Sequence, residues 1–174
     1  MAVTLREVEQ IRLVDPRPVL IDEILERAGE YISGPRRAVA LKMIREAHEL
    51  AQDCHDGQDR LSGEPFIQHP LSVAALLTDI RMDEAAVCAA LLHDVVEDST
   101  CEIETLADKF GAEVAELVDG VTKLTQFNLA DLEDAQSRTL RKMFIAMARD
   151  IRVVLVKLAD RLHNVQTAHA LPED

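Results

Sequence analysis

The chain has 174 residues, a length that suits a single domain burying about 70% of its unfolded surface. Lysine and arginine total 19 against 32 aspartates and glutamates, a net charge of −13. That balance argues against nucleic acid as a direct partner, because phosphate neutralisation needs a basic surface, but it leaves room for a small phosphorylated substrate held by a metal and a few arginines.

Cys54, Cys88 and Cys101 are odd in number and form no C-x-x-C pair, which argues against a disulfide framework or zinc knuckle and for a reducing compartment. With no apolar leader and no long uncharged apolar run, a soluble cytoplasmic protein with no membrane partner is expected.

Scarce aromatics and abundant Ala, Leu and Glu predict an all-α fold, with no repeat or linker. The opening residues, to about Arg17, have no clear pattern. Leu20 to Tyr31 has helical spacing, and Pro35 suits the first position of a long helix to about Cys54, stopped beyond by Gly57. His55 to Ile67 (HDGQDRLSGEPFI) is a polar loop longer than most connections, and such loops are often functional. Pro70 opens the next helix and leaves His69 at its N-terminal boundary. Ala85 to Asp98 forms a central helix; Glu102 to about Lys123 gives one or two more, with Gly111 and Gly120 as breaks. Leu132 to Ala148 and Ile151 to Thr167 complete the set. The valine-rich IRVVLV has strand propensity, yet the continuing KLADRLHNVQ favours helix.

The central stretch AAVCAALLHDVVED concentrates the chemistry. Ala85 to Leu92 is apolar throughout, the pattern of a helix buried on every side, and His93, Asp94, Glu97 and Asp98 follow at once. On a continuous helix His93 faces Glu97 and Asp94 faces Asp98. The carboxylates repel one another at a helix end that is already partially negative, and a divalent cation offsets both; the plainer reading is a solvated acidic end.

In the last helix Lys157, Asp160, Asn164 and Thr167 form a polar stripe, opposite an apolar face of Leu155, Leu158, Leu162 and Val165. The stripe is either a solvated side or the lining of a site to which Asp160 gives a carboxylate and His69 a further imidazole. Mixed imidazole and carboxylate donors suit Mn²⁺, Fe²⁺ or Zn²⁺ better than Ca²⁺. His48, His55, His163 and His169 have no acidic partner at a telling spacing, and no role follows for them from sequence.

With SGEPFIQHP, ALLHDVVEDS, DGVTKL and DIRVVLVKLADRLHNVQT in that order, the chain resembles the hydrolase domain of the long Rel/SpoT alarmone synthetase–hydrolases, members of the HD phosphohydrolase superfamily. The resemblance runs from about Ala40 to the C-terminus. It implies a compact multi-helix HD-domain fold over residues 35–174, with residues 1–34 an N-terminal segment and first helix of the same domain.

It also implies Mn²⁺-dependent removal of the 3′-pyrophosphate from guanosine tetra- and pentaphosphate. The implied metal ligands are His69, His93, Asp94 and Asp160, and the catalytic acids Glu97 and Asp98. Arg60, Leu61 and Ser62 would hold guanine, Asn164 and Thr167 would lie near the nucleoside, and Lys157 and Arg161 would meet phosphate. Many relatives carry a lysine or another polar residue where this chain has Leu61, which implies a more apolar base contact. With no synthetase or regulatory domain following, the chain resembles either a hydrolase domain taken from a longer protein or a stand-alone small hydrolase, and the run-on ALPED favours the former. Two competing expectations are a phosphohydrolase of ordinary nucleotides and a non-catalytic alarmone sensor.

Overall fold

The computed structural model describes residues 17–125 and 150–167. The helix expected over Leu132 to Ala148 lies outside them, as do the opening residues. The described residues are all-α: α1 (Ile21–Tyr31), a 3₁₀ turn (Gly34–Arg36), α2 (Arg37–Cys54), α3 (Gln68–Asp79), α4 (Glu84–Leu92), the short α5 (Val95–Asp98), α6 (Ile103–Phe110), α7 (Ala112–Thr125) and α8 (Ile151–Thr167). None of these helices is long and apolar enough to cross a membrane.

α4 is the centre, as its composition demands. It packs against α2, α3, α7 and α8 at once, and every residue from Ala85 to Leu92 is buried. Asp83 caps its N-terminus, its Oδ1 accepting from the Ala86 N–H at 2.9 Å. Arg152, at the start of α8, donates to Asp83 at 2.7 Å and to Glu113 in the first turn of α7 at 2.8 Å. The last helix is thereby fixed beside the first turns of α4 and α7.

Four local expectations are corrected. The central helix is not continuous to Asp98: it stops at Leu92 and resumes at Val95. The cause is His93, whose Nδ1 donates to the Ala90 carbonyl at 2.8 Å, the acceptor that the Asp94 N–H would use in an unbroken helix; a side chain inserted into the backbone ladder breaks it. α3 begins at Gln68, two residues before Pro70, so His69 sits inside the first turn, where a proline two positions on costs nothing because those N–H groups have no helical partner.

Gly111, with φ of 90°, does separate α6 from α7, but Gly120 lies within α7. A Cβ there would stand 2.8 Å from Val153 Cγ2, so the glycine is what lets α7 and α8 approach. Valine is stiff about χ1 and cannot swing aside. Gly120→Ala is expected to cost about 1–3 kcal/mol in overpacking, offset in part by roughly 1 kcal/mol of helix propensity. A lowered urea midpoint would register the difference, and an unchanged one would mean that the two helices separate freely.

The fourth correction concerns the faces of α8. Leu158, Leu162 and Val165 are 54%, 46% and 72% exposed, whereas Asp160 and His163 are buried. The polar residues turn inward because they line a site, so the usual apolar-inside rule is reversed along this stretch.

Candidate metal and nucleotide site

Three elements bring the charged residues together. His69 comes from the first turn of α3, His93 and Asp94 from the break between α4 and α5, and Asp160 from the middle of α8. Ligating atoms of His69, His93 and Asp160 all lie within 4.8 Å of one another. Asp94 joins them from the rim, with Oδ1 3.2 Å from His93 Nε2 and Oδ2 3.6 Å from His69 Nε2. Asp160 Oδ1 is 3.3 Å from His69 Nε2 and 4.0 Å from His93 Nε2. All four residues named from sequence therefore meet at one point.

The donor set fits a cation. Because His93 Nδ1–H donates to a backbone carbonyl, the neutral ring carries its lone pair on Nε2, and that atom is buried with no hydrogen-bond partner. A lone pair facing a carboxylate oxygen inside a protein is unfavourable unless something positive lies between them. Two imidazole nitrogens and two carboxylates supply the mixed N/O set that suits a first-row divalent metal. Lys157 Nζ is 2.6 Å from Asp160 Oδ2, which leaves Oδ1 turned toward the cluster.

Burial sets the protonation states. It holds His69 below the usual histidine value, with Asp160 opposing and His93 reinforcing the shift. Burial, then the neighbouring His69 and Arg60, pushes His163 down to about 4. Burial alone would raise Asp160, but His69 and Lys157 outweigh it and hold the carboxyl below its usual range. Asp98 is raised, by burial and then by the charge of Asp94.

A histidine whose value falls from 6.5 in the unfolded chain to about 4 in the folded one binds its proton better when unfolded. Stability is then complete above that window and is lost as pH falls through it. Asp160 loses its contribution only below the ordinary carboxylate range, whereas the raised carboxyl of Asp98 opposes the histidine effect from the ordinary carboxylate value upward. The metal-free protein is expected to melt progressively earlier between about pH 6.5 and 4; a flat calorimetric Tm across that interval would contradict a buried neutral His163.

Next to the cluster the long loop folds into a small hairpin. Phe66 N–H donates to the Gln58 carbonyl, Arg60 N–H to that of Glu64, and Gly63 N–H to that of Arg60, at 2.9, 2.9 and 2.8 Å. Gly63, with φ of 84°, supplies the turn. The hairpin turns Arg60 inward, while Leu61 is 87% exposed at the tip beside Ser62, whose hydroxyl donates to Glu64.

A cavity of about 450 Å³ is lined by Asp59, Arg60, Leu61, Ser62, Phe66, Asn164 and Thr167. A second, of about 260 Å³, adds His69, Asp94, Lys157, Asp160 and Arg161. Arg60, Phe66 and Asn164 line both, so the two cavities adjoin between the hairpin and the acidic cluster. Glu97 and Asp98 are exposed on α5, directly after the Asp94 turn to which both their N–H groups are bonded.

Sequence reasoning missed three neighbours. His163 is buried, with its Nδ1 2.9 Å from His69 Nδ1. The signal was available: residues 160, 163, 164 and 167 share one helical face. Phe66 meets His69 edge-on, with centroids 6.3 Å apart, and stacks on the buried His55 at 4.4 Å. Nothing local in the loop sequence marked that pairing.

Residues 47–174 match the HD-domain family. Among curated proteins, the chain is 46% identical over 155 residues to a guanosine-3′,5′-bis(diphosphate) 3′-pyrophosphohydrolase of Vibrio cholerae, which covers 89% of this chain and 21% of that protein. It is 47% identical over 134 residues to the bifunctional (p)ppGpp synthase/hydrolase SpoT of Escherichia coli, 77% of this chain and 19% of that one. It is 48% identical over 156 residues to a GTP pyrophosphokinase of Myxococcus xanthus, 88% and 21% respectively. The chain thus spans about a fifth of the length of these relatives.

A solved structure of a metazoan SpoT ortholog, described as hydrolysing ppGpp, superposes with a TM-score of 0.57 at 30% identity, over 73% of this chain and 70% of that one. The chain belongs to the HD-domain family, in its Rel/SpoT branch.

Proposed function

We propose that the chain is a metal-dependent guanosine-3′,5′-bis(diphosphate) 3′-pyrophosphohydrolase, removing pyrophosphate from guanosine tetra- and pentaphosphate to leave GDP and GTP. The observation that carries this reading is the meeting of the buried His69, His93 and Asp160 with Asp94 at their rim, beside a cavity that adjoins the one lined by Arg60, Leu61 and Ser62. The proposed ligands are those four residues and the proposed resident ion is Mn²⁺. The cytoplasm is the proposed compartment, supported by three free thiols. Residues 1–34 are assigned to the same domain, and synthetase and regulatory domains accompany it in the full-length protein, a reading supported by its match to a fifth of its relatives.

When bound, the divalent cation supplies Lewis acidity toward a phosphoryl oxygen and acidifies water. Glu97, with Asp98 beside it, takes the proton of the attacking water; a carboxyl held above its usual value, as Asp98 is, is the stronger base. Water oxygen adds to the phosphorus bonded to the ribose 3′ oxygen, the bond to that oxygen breaks, and the 3′ oxygen leaves with a proton while pyrophosphate departs. Lys157 and Arg161 line the hollow next to the cluster and balance the phosphate charge. The flat face of Arg60 and the apolar Leu61 hold the base, with Ser62, Asn164 and Thr167 supplying polar contacts around the nucleoside.

Incubating the protein with guanosine tetraphosphate, dGTP and dAMP in parallel tests the assignment. Pyrophosphate released from the first alone supports it. Turnover of the deoxynucleotides instead would mean a general nucleotide phosphohydrolase, and tight alarmone binding without turnover a sensor.

A further inference from the structure

Arg60 reaches the cation cluster by two routes. Its Nη1 lies 3.1 Å from His163 Nδ1, which in turn is 2.9 Å from His69 Nδ1. Its Nη2 donates to Asn164 Oδ1 at 2.7 Å, and Asn164 Nδ2 donates to Asp160 Oδ1 at 2.6 Å. A guanidinium only donates and does not give up its proton in a protein. His163 Nδ1 must therefore be the bare, accepting nitrogen.

The other neighbour of that nitrogen, His69 Nδ1, is then obliged to carry a hydrogen. A neutral imidazole protonated on Nδ1 has its lone pair on Nε2, and His69 Nε2 is the atom that faces Asp94 and Asp160 at 3.6 and 3.3 Å. The second branch works the same way. With its carbonyl engaged by Arg60, Asn164 can turn only amide hydrogens toward Asp160, and it holds Oδ1 in place. His69 and His163 are both buried, so water does not compete for the contact between them.

We propose that Arg60 is the positioning residue of the cation site: acting through His163 and Asn164, it fixes the ring tautomer of His69 and the carboxylate of Asp160. The edge of the guanidinium is occupied by this fork, and the same side chain lines the adjoining cavity in which the base is proposed to lie. Nucleoside and cation binding are then linked through one side chain, and by reciprocity each tightens the other. The inference rests on the cation site set out under Proposed function.

The test is calorimetric titration of the metal-stripped protein with Mn²⁺, without nucleotide, for wild type, Arg60→Lys, His163→Phe and the double variant, each checked for folding by thermal melting. Lysine keeps the charge but cannot form the fork. Arg60→Lys and His163→Phe are each expected to weaken Mn²⁺ binding by about 10- to 100-fold, the usual effect of removing a group that orients a ligand. The double variant is expected to lose less than the product of the two, because both cut one branch. Should His163→Phe fail to fold, Asn164→Leu cuts the other branch and the same non-additivity is expected. Wild-type affinity in Arg60→Lys, or losses that multiply, would overturn the inference alone; a wild type that takes no Mn²⁺ would overturn the cation site as well.

Discussion

Asp94→Asn is expected to remove the metal and the activity together. Asp94 stands at the rim of the cluster, 3.2 and 3.6 Å from two imidazole nitrogens. The substitution keeps its shape and removes one negative charge from the donor set. Without the cation, the developing charge on phosphorus and the activation of water both go unsupported. Turnover is expected to fall by about 10³-fold or more, roughly 4 kcal/mol of transition-state stabilisation. Metal content by atomic absorption and pyrophosphate release are the two readouts. A variant that keeps its metal and its rate would remove Asp94 from the ligand set. One that keeps metal but loses rate would place it in the chemistry alone.

Glu97→Gln separates the same two functions in the opposite way. Glu97 is exposed and follows the Asp94 turn, its N–H bonded to the Asp94 carbonyl at 3.1 Å, outside the buried cluster. The amide cannot accept a proton from water, so turnover is expected to fall by about 10²- to 10⁴-fold, the usual contribution of a general base, with the metal retained. Full activity in Glu97→Gln together with loss in Asp98→Asn would assign the proton to Asp98, whose raised carboxyl suits that work.

What could be read in the sequence was what depends on short spacing and composition. The eight apolar residues of Ala85 to Leu92 announced a helix buried on all sides, and α4 is one. The abrupt polar end announced a site, because His93, Asp94, Glu97 and Asp98 conflict with the run before them. His69 and Asp160, far apart in the chain, were singled out by chemistry and by family resemblance, and both lie at the cluster.

What could not be read depends on tertiary contact. That His93 would take the Ala90 carbonyl and break the helix follows from where the ring must sit, not from propensity. The inward turn of the α8 polar stripe exposes Leu158, Leu162 and Val165, the reverse of the rule by which faces are assigned. Gly120 looked like a break because glycine weakens helices, whereas its role is to admit Val153. His163 was overlooked because its partners, His69 and Arg60, are 94 and 103 residues away.

The most direct measurement is pyrophosphate release from guanosine tetraphosphate by protein stripped with a chelator and then titrated with Mn²⁺, with metal stoichiometry followed in parallel. Loss of activity on stripping, and its return in proportion to one Mn²⁺ per chain, is the expected result. Release that continues unchanged in the stripped protein would contradict a reaction built on His69, His93, Asp94 and Asp160.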